Sequence, residues 1–423
     1  YLKTLIPRVA GHPKVSALLV GLPRPINLSE WKKAFPFANW LSLKPCKWPV
    51  SDLNSGERTK IKKFAADVVF IPTARFCRID GVPTVNMIRN MEPFVGIDEN
   101  PILEKILNCI RAKEAHNSLL KADRVIAVSG FARQFIMDMW GIDPGKIGLV
   151  YHGVENTDGL SLKKPASIPQ SWKGDFLFTA GSIRPARGLE DAIFAVREIS
   201  RKGVKDCKLA IAGYVIWNMR GYYRKLKTAV RRFGLESSIL FTGPLSEQEM
   251  RWCYQHCKMF LMTSRVEACP NIALETMAQG CIAIVADNPP LPEMLDNTVF
   301  FYPPKEHDVL AGRIQRVLNM SEEQLNAMRK CSLERATQFN QDKCAKLTVA
   351  ELIKAAGCTP QADRLTYKYK SKEPELDKSY SKSVCRSKAA CMREGRKLSG
   401  RILNMQIPTI RTPFEHIWIN RMI

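Results

Sequence analysis

The 423 residues predict an α/β protein made of two Rossmann-like units with parallel sheets, followed by a basic C-terminal tail. Three observations carry this. Short apolar or β-branched runs alternate with longer amphipathic, charged stretches; the rhythm breaks over the polar, Pro-containing residues 155–171 and then restarts; and it stops near Gly357. At about 150 residues per domain the length suggests two or three domains. A hydrophobic content of 45% is ample for real cores and excludes disorder throughout.

In the first unit, expected over 1–155, the opening segment Tyr1 to Val9 reads as a helix already under way, so an N-terminal piece is expected to be missing. Strands are expected at Val15–Leu22, Asp67–Ile71, Pro83–Ile88, Arg124–Ser129 and Ile147–Tyr151. The second unit, 156–339, has them at Phe176–Gly181, Lys208–Gly213, Ile239–Thr242, Met259–Thr263, Ile282–Ala286 and Val299–Tyr302. Ser321 to Ala356 is helical, with Glu322, Glu323 and Gln324 near its start and Gly357 at its end; its last part, about 340–357, is expected to close onto the first unit.

Residues 358–423 carry 14 Lys+Arg against 6 Asp+Glu, so +8 of the formal +23 lies in this tail. Its Ser/Lys/Tyr-rich first half lacks periodicity and reads as disordered, whereas Arg401 to Ile423 regains apolar residues. The overall charge fits an anionic substrate, a polyanion or a negatively charged membrane surface, without choosing among them. Apolar runs such as Val15 to Leu22 are far shorter than the roughly 20 residues of a spanning helix, so none is expected. Thirteen cysteines without a short-loop framework suit a reducing, cytosolic setting. Cys253 and Cys257, flanking His256, lack a second ligand pair and read as ordinary helix thiols.

Two loops carry chemistry. The first strand of the second unit runs into Gly181-Ser182-Ile183-Arg184-Pro185-Ala186-Arg187-Gly188, where glycines permit tight turning and two guanidiniums offer multi-donor contacts to phosphate oxygens. The strand Met259–Thr263 is followed by Ser264 to Glu275, in which Pro270-Asn271 starts a helix and Gly280 ends it. That places Glu275 in the first helical turn and Glu267 in the preceding loop, both able to face the same cleft as the N-terminal amides of the helix that opens with Pro270, Asn271 and Ile272. No Asp-x-Asp pair stands at a strand end, and no His/Cys cluster has metal-ligand spacing.

With these residues, positions 1 to 357 resemble the retaining glycosyltransferases of family 4, the glycosyl transferases group 1, which have the two-domain GT-B fold. Glu267 and Glu275 match the family's E-x7-E motif. Gly181 to Gly188 looks like its Gly-Arg-Leu…Lys-Gly diphosphate loop, with Ser182 where Arg is usual, Arg187 where Lys is usual, and Arg184 able to supply the displaced guanidinium. Ala122 to Ser129 and Val150 to Val154 are similar to further family landmarks.

The resemblance implies that Glu275 hydrogen-bonds a nucleotide ribose and that Glu267 lies near the donor sugar. Arg89 stands where many members carry a His near the reacting sugar; an Arg cannot act as a base there and would bind a hydroxyl or phosphate, or fasten its loop. It also implies a metal-independent reaction without a cofactor, the nucleotide-diphosphate sugar being the donor substrate, and a first strand ahead of residue 1. The expected function is transfer of a sugar, with retention, to a carbohydrate or lipid-linked acceptor hydroxyl. Electrostatic stabilisation of the departing diphosphate would come from Arg184 and Arg187. The expected location is cytoplasmic or peripheral at the inner membrane face, with no nucleic-acid partner. The rival readings are a non-catalytic basic binding protein on a degenerate GT-B scaffold and a nucleotide-sugar epimerase. His152, Glu155, Asp287 and Glu293 are read as structural.

Overall fold

The computed structural model describes residues 2–357, apart from 24–25, 44–52, 76–78, 156–158, 160, 173 and 205–206, together with 417–422. The chain divides into two units: Tyr1–Gly96, Ile106–Tyr151 and Gln341–Ile423 in the first, Ile97–Lys105 and His152–Asn340 in the second.

The first unit holds strands β1 (Val15–Pro23), β2 (Asn39–Leu43), β3 (Val68–Ile71), β4 (Thr84–Ile88), β5 (Arg124–Ala127) and β6 (Ile147–Leu149), with helices α1 (Leu2–Ala10), α2 (Leu28–Ala34), α3 (Ser55–Phe64), α5 (Gly130–Trp140) and, from Ile106 onward, α4 (Ile102–Lys121), whose first turn belongs to the second unit. β2 pairs parallel with β1, and β3 through β6 form a parallel run. β3 and β4 are buried at every position, as strands covered on both faces must be; β3 is accordingly an unbroken apolar run, whereas β4 also buries Thr84 and Asn86. α3 begins on a reciprocal cap: Asn54 Oδ1 accepts from the Glu57 N–H at 3.0 Å while Glu57 Oε2 accepts from the Asn54 N–H at 2.9 Å.

The second unit is a six-stranded parallel sheet of β7 (Phe176–Ala180), β8 (Lys208–Ala212), β9 (Ile239–Gly243), β10 (Met259–Met262), β11 (Ala283–Ala286) and β12 (Phe300–Tyr302), in the order β12-β11-β10-β7-β8-β9. Its helices are α6 (Leu189–Arg201), α7 (Arg220–Arg232), α8 (Glu247–His256), α9 (Asn271–Ala278), α10 (Leu291–Leu295), α11 (His307–Leu318) and α12 (Glu322–Ala336). Leu177, Ile211, Leu261 and Ile284 from four strands meet Ile193 and Val196 of α6 in one core. The order places β7 and β10 side by side, so the loops that follow these two strands leave the sheet as neighbours.

The last helix, α13 (Gln341–Ala355), returns to the first unit. Its buried Glu351 accepts from Arg124 Nε at 2.7 Å and Lys354 Nζ at 2.6 Å, and its Asp342 pairs with Arg8 of α1 at 2.7 Å.

The final strand, β13 (Ile417–Met422), falls in the part of the tail where apolar residues return, at a place where the sequence predicts no strand. It runs antiparallel between β1 and β3, giving a seven-stranded sheet in the order β2-β1-β13-β3-β4-β5-β6. Trp418 lies opposite both Val20 and Phe70. This pairing depends on strands at the far end of the chain, so no local signal announces it. Residues 358–416 lie outside the described residues.

Among the described residues seven cysteines are free, whereas Cys109 in α4 is disulfide-bonded, a departure from the all-thiol expectation. Cys253 is buried, which pushes its thiol pKa up to about 12 and keeps it protonated. No described helix is long and apolar enough to cross a membrane.

Candidate active site

The candidate site lies in the second unit, at the carboxyl ends of β7, β8 and β10. The Gly181 N–H donates to Ala212 O at 3.0 Å and the Gly213 N–H to Gly243 O at 2.9 Å, tying the ends of β7, β8 and β9 together. Two glycines permit the loops to stack. At Gly213 (φ +149°) a Cβ would sit 1.7 Å from Gly181 O; at Gly188 (φ +55°) it would sit 2.3 Å from Thr263 O. Thr263 Oγ1 then donates to Arg187 O at 2.7 Å, and the Arg265 N–H to Ala186 O at 2.8 Å, clamping the Gly181–Gly188 loop to the loop after β10.

Both loop arginines are held by carboxylates. Arg187 donates through Nη1 to Ser264 Oγ at 3.3 Å and forms an ion pair with Glu267. Arg184 Nη2 reaches Glu104 Oε1 at 3.2 Å, and Glu104 Oε2 also accepts from Asn218 Nδ2 at 2.8 Å. Glu104 is buried and belongs to the segment Ile97–Lys105 of this unit. The loop thus presents two guanidiniums whose charge is already partly neutralised, arranged by a glycine turn and the short helix Pro185–Arg187.

Beneath it lies a buried network. Arg265 makes two 2.6 Å hydrogen bonds to Asp191, which also accepts from Tyr302 Oη and the Lys305 N–H, each at 3.0 Å. Burial pulls the Arg265 pKa down, but the hydrogen bonds and charge of Asp191 outweigh it and the net shift is upward. Arg265 is therefore a structural cation that fixes both loops. A buried bidentate pair of this kind is costly to break and leaves little freedom in the backbone it anchors.

The helix α9 starts after Pro270, with no side-chain cap on its first-turn amides. Its first residue is Asn271, so Glu275 falls at its fifth position, in the second turn rather than the first. Burial raises the Glu275 pKa, against the lowering hydrogen bond that Tyr254 Oη donates to Oε2 at 3.1 Å. His152 Nδ1 lies 3.1 Å from Asn271 Oδ1, and the His152 N–H donates to Cys269 Sγ at 3.3 Å, so His152 touches the α9 start.

The structure therefore joins Arg187 to Glu267 directly, sets Gly181, Ser182 and Arg184 in the same loop, and places Pro270, Asn271, Ile272 and Glu275 on the segment that continues from Glu267. Arg89 follows β4 and belongs to the other unit. Sequence reasoning gave no role to Asp191, Arg265, Glu104, Asn218 or Tyr254. Arg265 stood within a singled-out loop, but its partner lies 74 residues away and gives no local sign. Among the described residues no group of three or more His, Cys, Asp or Glu is arranged to hold a metal ion.

Residues 163–333 match the family model of the glycosyl transferases group 1. An uncharacterized glycosyltransferase of Methanocaldococcus jannaschii is 23% identical over 214 residues, 48% of this chain and 52% of that protein. A D-inositol 3-phosphate glycosyltransferase of Acidothermus cellulolyticus is 21% identical over 173 residues, 39% and 38% of the two chains. The chain spans about a third to a half of the length of the curated relatives it matches. Among solved structures, HepE of Anabaena in complex with UDP superposes with a TM-score of 0.62 at 16% identity, covering 84% of this chain and 96% of that one. Sucrose-phosphate synthase of Thermosynechococcus elongatus gives 0.57 at 16% identity, covering 75% and 83%. The chain has the GT-B fold, and its second unit is similar in sequence, over residues 163–333, to the glycosyl transferases group 1.

Proposed function

We propose that the protein is a retaining, metal-independent glycosyltransferase that moves a sugar from a nucleotide-diphosphate donor to an acceptor hydroxyl. The observation that carries this reading is the Arg187–Glu267 pair beside the glycine-bounded loop. It sets a multi-donor cation and a carboxylate side by side, which are the groups a sugar diphosphate needs at its phosphate and at its hydroxyls. HepE, of the same fold, is a UDP complex.

In this reading the diphosphate draws Arg184 and Arg187 away from Glu104 and Glu267, and the uncapped amides of Asn271 and Ile272 add donors at a helix N-terminus. Negative charge grows on the diphosphate as the glycosidic bond breaks, so these contacts strengthen in the transition state and lower the barrier. Glu275 accepts hydrogen bonds from the ribose hydroxyls, and Glu267 lies near the donor sugar. With no enzymatic nucleophile assigned, retention follows from attack on the face the diphosphate leaves, the leaving phosphate accepting the acceptor proton.

The test is nucleotide release from a panel of nucleotide sugars with and without carbohydrate and lipid-linked acceptors, with the product anomer read by NMR. Acceptor-dependent release with a retained anomer is expected. Absence of any release makes the protein a binding scaffold, and release without an acceptor makes it an epimerase or hydrolase.

A further inference from the structure

We propose that the outer face of α7, in the second unit, is a docking surface for the anionic headgroups of a lipid bilayer. The helix carries six basic residues and no acidic one in thirteen positions. Arg220, Arg224, Lys227 and Arg231 recur at i, i+4, i+7 and i+11, which aligns them in one stripe about 16 Å long. All four are exposed. The opposite face is fixed in the core by buried Tyr222, Leu226 and Val230, with the Tyr222 hydroxyl donating to Glu190.

None of the stripe residues pairs with a carboxylate among the described residues. Arg231 donates within the helix to Thr228 Oγ1 at 3.4 Å, and Lys227 Nζ lies 5.7 Å from the Tyr223 ring. A helix of this composition would ordinarily carry acidic partners at i±4; a row left without them keeps its full charge for an external partner. The segment leading into α7 adds two aromatics, Tyr214 and Trp217, each 58% exposed. Large amphipathic rings beside a cationic row suit the headgroup level of a bilayer, where an apolar body and a polar edge are both accommodated.

Charge complementarity alone would also admit a nucleic acid. Single-strand binders interleave aromatics with cations along the track so that bases stack. Here the exposed aromatics, Tyr214 and Trp217, lie at one end, while within α7 Tyr222 is buried and Tyr223 is half-buried against Phe241. The straight, unbroken row therefore fits a plane of headgroups better than a strand of bases. Because the apolar face of α7 is already buried, attachment is electrostatic and reversible, with Trp217 as the apolar contact.

The experiment is co-sedimentation of the full chain with vesicles of 30% phosphatidylglycerol in phosphatidylcholine, and of phosphatidylcholine alone, at low and high salt. The parent is expected to bind the anionic vesicles at low salt and neither type at high salt. The variant R220Q/R224Q/K227Q/R231Q, unchanged in melting temperature, is expected to lose partitioning on the order of a thousandfold. W217A should lose several-fold more on vesicles than on polyuridylate. Equal sedimentation of parent and quadruple variant, absence of parent binding to anionic vesicles, or a preference for polyuridylate over vesicles that W217A leaves unchanged would overturn the proposal. Binding is read without turnover, so the result is independent of the transfer activity proposed above.

Discussion

Arg187 and Glu267 stand 80 residues apart in sequence and form one ion pair at the ends of two neighbouring strands, with the Glu267 side chain only 10% exposed. An arriving diphosphate must therefore share a guanidinium that a carboxylate already occupies. Glu267→Gln removes that competition, and affinity for a free nucleoside diphosphate is expected to rise by about 1 kcal/mol, roughly fivefold, while turnover falls. Calorimetry beside kcat measurement checks this; weaker diphosphate binding in the variant would show that Glu267 does not compete for Arg187.

The loop arginines are expected to act mainly on the transition state. Arg184→Gln and Arg187→Gln should each lower kcat more than they raise the donor KM, because the charge they meet grows during bond breaking. A pure KM effect would make the loop a ground-state clamp. An unchanged enzyme in Arg184→Gln would show that Arg184 serves only its contact with Glu104.

Arg265 is predicted to matter for stability. Arg265→Met leaves buried Asp191 with only the Tyr302 hydroxyl and the Lys305 N–H, and the loss of one partner from a buried pair costs about 3–5 kcal/mol. Chemical denaturation should show a lower midpoint at an unchanged slope. A midpoint equal to that of the parent would contradict the role assigned to the network.

Glu275 gives a pH signature. Its folded pKa is raised by burial, so the folded state holds the proton more tightly than the unfolded chain does. This group's contribution to stability is then lost as pH rises from the unfolded value of about 4.3 through the raised folded value. Glu275→Gln should flatten that decline, and Tyr254→Phe, by removing the 3.1 Å donor, should steepen it. Melting temperatures recorded across this range decide; parallel curves for all three proteins would rule it out.

The glycines separate steric from conformational cost. Gly213→Ala places a Cβ against Gly181 O and should destabilise the fold by more than about 3 kcal/mol. Gly234→Ala, at φ +66° with open space around it, should cost only the ~1–2 kcal/mol of a left-handed backbone. Similar losses at the two positions would mean that the strand ends are not packed as described.

The parallel strands were legible because Phe176, Met259 and their neighbours lie in short, mostly apolar runs bounded by glycines or charges, the pattern that burial on both faces imposes. β2 was not, since Asn39-Trp40-Leu41-Ser42-Leu43 is short, mixes polar residues and is only partly buried. β13 escaped because its partners are remote. The two motif loops could be found from glycine, arginine and glutamate spacing, but Glu275 lies a turn further into the helix than that spacing suggests, because Asn271 directly after the Pro270 cap is already its first residue. Asp191, Arg265 and Glu104 look like surface charges in a linear sequence; only the fold shows that each is buried against an opposite or polar partner.

The most direct test of the central claim is calorimetric titration of the full chain, and of its Glu275→Ala and Arg187→Gln variants, with UDP, GDP and ADP. At least one diphosphate is expected to bind the parent, with Glu275→Ala weakening it by about 1–3 kcal/mol through lost ribose hydrogen bonds. Arg187→Gln should weaken the diphosphate more than the matching nucleoside. If none of the three binds, or if binding is indifferent to both substitutions, the loop between Gly181 and Gly188 and the helix carrying Glu275 are not a nucleotide-sugar site.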